Sequence, residues 1–146
     1  MPALWLLFAI TLFSGMISHL NQSSTDRILS DSSPSIIAGN LLIYKNAVSS
    51  YASSNPTFTG QIPTAALNLP TWFRPSIHLG NLLQAGRVYV FYAGPDAPGL
   101  ASELYRRTQS LSVGKNSNGA FVSTASGITG LSVPQQIPMN ATVLIQ

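Results

Sequence analysis

The sequence contains no cysteine. That absence removes disulfides, thiolate catalysis and every sulfur-ligated metal site at once. Charge is scarce too: Asp, Glu, Lys and Arg make up 8% of the residues, against roughly 25% in an ordinary soluble domain. The carboxylates are Asp26, Asp31, Asp96 and Glu103. Two lie in a serine-rich stretch and Asp96 is placed to open a helix, so a paired acid–base site has no material. His19 and His78 are the two histidines, far apart in sequence, and they supply neither a metal cluster nor a Ser-His-Asp triad. The seven basic residues are dispersed, with Arg106-Arg107 as their one adjacent pair. A pI near 9.6 therefore reflects missing acids and not a basic patch, which excludes tracking of a nucleic-acid backbone. Cofactor motifs are missing as well: Gly80-Asn-Leu-Leu-Gln-Ala-Gly86 lacks the lysine and Ser/Thr of a phosphate loop.

What the chain does have begins at its N-terminus. No formal charge precedes Asp26, and Pro2 to Leu20 reads PALWLLFAITLFSGMISHL. At the helical rise these residues span roughly 30 Å, the thickness of a bilayer core. Nine of them are Leu, Ile or Phe, which supply about −3 to −5 kcal/mol of insertion free energy before the polar residues subtract. Trp5 and His19 suit the two interfaces. A cleaved signal peptide would carry a cationic start and a shorter apolar run. With neither present, residues 1–20 are expected to be a retained transmembrane anchor. Asp26 and Arg27 sit together after the span, so charge does not set its orientation.

Residues 21–35 read as a linker: Asn21 to Ser35 holds six serines and Pro34. A flexible segment of that length spans roughly 20–25 Å. A single domain follows over 36–146. Ile37, Leu41, Tyr44, Val48 and Tyr51 recur at helical spacing, with Ser35 as a candidate cap and Asn55-Pro56 as the stop. Thr57 to Leu83 reads as a proline-punctuated loop held by its aromatics, with Leu69-Pro-Thr-Trp-Phe73 as the wedge into the core. Within it Trp72, Phe73 and Arg74 are the candidate partner contacts. Arg87 to Ala93 is the clearest strand. A short helix is expected from Asp96 and Pro98 to about Ser110, with Leu100, Leu104 and Leu111 buried and Glu103 paired to Arg107. Asn118-Gly119 signals a hairpin between Leu111–Val113 and Ala120–Ser123, and Ala141 to Ile145 is a closing strand. The class is α+β, with helices on one side of a small antiparallel sheet.

One catalytic pattern does occur. Ser112-Val-Gly-Lys115 fits the S-x-x-K of penicillin-interacting enzymes, but glycine and the Asn-Gly turn set it in a hairpin where the pair would not meet.

The run Leu42-Ile-Tyr-Lys-Asn-Ala-Val-Ser-Ser-Tyr-Ala52, then Asn55-Pro56, Gly60, Leu69-Pro-Thr-Trp-Phe73 and Val88-Tyr-Val-Phe-Tyr92, resembles the PilM family. These are small inner-membrane proteins of type IVB thin-pilus systems, including conjugative ones. The resemblance implies a non-enzymatic part of the basal body or pilin-transport apparatus. It also implies a periplasmic C-terminal domain in contact with other pilus assembly proteins. It brings no catalytic or cofactor-binding residues. The alternatives are a minor pilin, which the missing basic leader and early glutamate disfavour, a cell-envelope hydrolase using Ser112 and Lys115, and a ligand-binding domain using the aromatic loop.

Overall fold

A computed structural model describes residues 33–95 and 97–146. The anchor assigned to Pro2–Leu20, most of the linker and Asp96 lie outside the described residues; the helix expected to open at Asp96 and Pro98 starts only at Leu100, behind a left-handed Gly99. No helix among the described residues is long and apolar enough to cross a membrane.

Helix α1 runs Pro34–Ser54, two residues earlier than its apolar periodicity suggests. Proline suits a first helical position, because its missing N–H would have no partner there anyway. Ile37, Leu41, Tyr44 and Val48 are buried along one stripe, as their spacing predicts. The helix stops where Asn55, which precedes Pro56, turns its N–H back to the Tyr51 carbonyl at 3.0 Å.

Six strands then form one wholly antiparallel sheet: β1 (Leu79–Gln84), β2 (Arg87–Tyr92), β3 (Val113–Ser117), β4 (Ala120–Ser123), β5 (Gly127–Ser132) and β6 (Thr142–Ile145). Helix α2 (Leu100–Thr108) sits between β2 and β3 in sequence. The order across the sheet is β1-β2-β6-β3-β4-β5. The last strand is thus inserted at the centre and joins the β1–β2 hairpin to the β3–β4–β5 meander. The β3–β4 turn falls at Asn118 and Gly119, with φ of 51° and 85°. Two consecutive left-handed residues make the primed turn whose twist matches the strands, which is why the Asn-Gly signal is reliable.

Strand alternation divides the core in two. On one face Leu83, Val90, Val113 and Leu144 pack under Leu41 and Val48 of α1 and Leu100 and Leu104 of α2. On the other, Tyr89, Phe91, Phe121 and Val143 are covered by Val133 and Ile137 from the segment after β5. Asn116 straps that segment down: its Nδ2 donates to the Ile137 and Pro138 carbonyls at 2.8 and 3.1 Å. The helices occupy one side of the sheet as expected, and a loop closes the other.

Two expectations are corrected, and one strand is added. Thr57 to Leu83 is not loop to its end, because β1 begins at Leu79 and the ladder with β2 holds it. The stretch after β4, which has no strand signal of its own, forms β5. Leu111 is 64% exposed and lies beyond α2, since the chain leaves the helix at Gln109 in a left-handed turn with φ of 51°. Glu103 pairs with Arg107 as the spacing predicts, and with Arg106 as well.

Candidate docking surface

The segment between the 3-10 turn at Thr64–Ala66 and β1 carries the most exposed aromatic residue of the domain. Its anchors are apolar: Leu67 and Phe73 are buried in the helix-side core and Leu69 packs against it. The Phe73 N–H donates to the Pro70 carbonyl at 2.9 Å, closing a turn over Thr71 and Trp72. Arg74 tightens it, its Nη1 donating to the Thr71 carbonyl at 3.1 Å. The turn points the two aromatic neighbours in opposite directions. Phe73 is 4% exposed, whereas Trp72 is 70% exposed, its ring meeting Phe73 edge-on at 6.0 Å. Of the three candidates, Trp72 and Arg74 lie at the surface and Phe73 lies in the core.

Ile77, which the sequence did not single out, is 93% exposed on the same segment. Beside it His78 meets Tyr92 edge-on at 5.9 Å. Next comes Gly80, opposite Phe91 in the ladder. A Cβ there would lie 2.3 Å from the Phe91 ring, so only glycine lets that ring lie flat on the strand. Asn81 is buried, and its amide donates to the Tyr44 hydroxyl at 2.7 Å and to the Ile62 carbonyl at 3.0 Å. A single asparagine in a strand gives no sequence signal for such a network, because its partners come from 37 and 19 residues away.

The remaining polar groups are arranged differently. Ser112 lies in the turn before β3 and Lys115 within the strand, so the two are not on the helical turn that brings the pair together in the S-x-x-K pattern. The Glu103 carboxylate accepts from Arg106 Nη2 at 2.7 Å and from Arg107 Nε at 2.8 Å. Those bonds, Arg106's first and Arg107's second, hold its pKa down at about 2. Arg107 Nη2 also donates to Ser35 Oγ at 2.6 Å, tying α2 to the start of α1. Among the described residues no three His, Asp or Glu side chains gather where they could hold a metal ion.

The sequence matches the PilM family over residues 8–145. The chain belongs to the PilM family. Among solved structures it is similar to a PilM protein from Pseudomonas aeruginosa 2192, with 36% identity and a TM-score of 0.50, covering 77% of this chain and 92% of that one. It shares its fold with a PilM protein from Escherichia coli B7A, at 23% identity and a TM-score of 0.61, over 77% of this chain and 90% of that one. No curated protein matches it. Membership ties the chain to pilus biology, and within this PilM domain the exposed apolar groups Trp72 and Ile77 mark the segment from Leu69 to Leu79 as the surface to explain.

Proposed function

We propose that the chain is a non-enzymatic, single-pass inner-membrane component of a type IVB pilus basal body or pilin-transport apparatus. Its periplasmic domain docks other envelope proteins of the pilus machine through Trp72 and its surroundings. The observation that carries this reading is the turn at Pro70–Phe73. A buried Phe73 fixes the loop, and Trp72 is presented on it with most of its surface exposed. Tryptophan is among the residues that most often dominate the energy of protein contacts. The uncharged run Pro2–Leu20 and the short tether support a domain working close to the membrane. The separation of Ser112 from Lys115 supports a role without covalent chemistry.

Deleting the gene should abolish pilus assembly while prepilin processing by its peptidase continues. A deletion strain with normal pili would refute the reading. Finding the protein along the pilus shaft would instead make it a minor pilin.

A further inference from the structure

Strand β1 is an edge strand, and its outer side is only partly covered. Two bond pairs establish which backbone groups face outward. Val88 and Gln146 exchange backbone bonds of 2.8 and 2.9 Å, so alternate residues of β2 turn toward β6 and leave Arg87, Tyr89 and Phe91 for β1. On the far side of β1, Gly60 and Leu83 exchange bonds of 2.8 and 2.9 Å. The N–H and C=O of Leu79, Asn81 and Leu83 therefore point outward.

The segment starting at Gly60 covers Leu83, and its regular continuation would lay Ile62 against the backbone of Asn81. It does not. The Ile62 N–H donates to Asn81 Oδ1 at 2.7 Å, and the Ile62 carbonyl accepts from Asn81 Nδ2 at 3.0 Å. The segment has peeled off the edge toward α1, held by a side-chain amide where a ladder would use the main chain. Pro63, which has no N–H, then turns it away into the 3-10 turn. The Leu79 N–H is taken by the Ser76 carbonyl at 3.0 Å. That leaves the Asn81 N–H, the Asn81 C=O and the Leu79 C=O facing outward without a backbone partner among the described residues, at the floor of a recess in which Asn81 itself is 4% exposed. They border a 480 Å³ cavity walled by Pro63, Thr64, Ile77, His78 and Asn81, and no Asp, Glu, Lys or Arg lines it.

We propose that the edge from Leu79 to Asn81 receives an extended, uncharged segment of a partner protein as an added strand. The segment exchanges both backbone bonds with Asn81, donates to the Leu79 carbonyl, and lays an apolar side chain over Ile77. Donors and acceptors spaced along a strand select an extended backbone. A wall without carboxylate, lysine or arginine favours a neutral segment, since a buried charge would find no salt-bridge partner among those groups. This deepens the docking reading above and rests on it.

The test places a photoreactive benzophenone amino acid at exposed Thr64 of the full-length chain in piliated cells. The adduct should map to one extended, uncharged stretch of another envelope protein, and Ile77→Lys should cut its yield about tenfold, because a lysine on an edge blocks strand addition. A synthetic peptide of that stretch, added to the full-length protein in detergent, should slow exchange of the Asn81 amide about tenfold and leave the already paired Leu83 amide unchanged. The proposal fails if the adduct maps to residues 21–33 of the same chain or to β1 of a second copy. It also fails if no adduct forms, or if the peptide binds without protecting Asn81. Normal pili in the deletion strain would remove the docking reading itself; blocked assembly without an adduct would remove this inference alone.

Discussion

Trp72 and Phe73 are neighbours in the chain but sit in opposite environments, and substitutions should separate their roles. Phe73→Ala empties a buried ring site and should cost about 3–5 kcal/mol of stability, read as a fall in the denaturant midpoint. Trp72→Ala, at an exposed position, should shift stability by no more than about 0.5 kcal/mol while weakening association with pilus proteins. A large loss of stability from Trp72→Ala would mean that its ring also holds the loop. Glu103 makes a second prediction at this scale. Unfolded, it titrates near the ordinary glutamate value of about 4.3, and folded, near 2. Since the folded value is the lower, its pairing contributes stability above the unfolded pKa and loses it as pH falls toward 2. The melting temperature of Glu103→Gln should therefore lie below that of the parent near neutrality, and the gap should close on acidification. A gap unchanged down to pH 2 would show that the carboxylate charge is not what matters.

Among the elements, those with strong local signals were legible and those defined by pairing were not. Helix α1 announces itself through its apolar stripe, and Val48 at its centre is fully buried. Val48→Asp would place an unpaired charge between helix and sheet. It should cost several kcal/mol, seen as loss of the cooperative melt; an unchanged melt would contradict the packing of α1. The Asn118-Gly119 hairpin was readable because a two-residue primed turn tolerates few other pairs. Strand β1, Leu-Gly-Asn-Leu-Leu-Gln, lacks both alternation and β-branched residues. Its strand character comes from β2 and from the Phe91 ring lying over Gly80. Strand β5 contains Gly127 and Gly130 in left-handed conformations, and its sequence reads as loop because only pairing with β4 makes it a strand. Leu111 misled because the helical period continues one turn past the point where Gln109 breaks the helix. At the candidate surface Trp72 was visible from its composition, whereas Ile77 and Asn81 depend on contacts that no local window contains.

For the molecule as a whole, the remaining expectation concerns its tether. A chain with Pro2–Leu20 embedded should stay in the membrane pellet after carbonate extraction, at full length. A shortened chain in the soluble periplasm would show instead that the run is a signal removed on export. The placing of β6 bears on how such a domain comes into being. Strands β1 and β2 on one side, and β3 to β5 on the other, share no ladder except through Thr142–Ile145. Until those residues have been made and delivered, β2 and β3 each present an unpaired edge, and neither helix has a complete floor to pack on. Both half-sheets must then wait for a segment more than 50 residues downstream of β1, so closure depends on distant contacts and is slow to start. Without Thr142–Ile145 in place, both half-sheets would offer unpaired edges open to mispairing, so truncation within β6 should unfold the whole domain and not only its end.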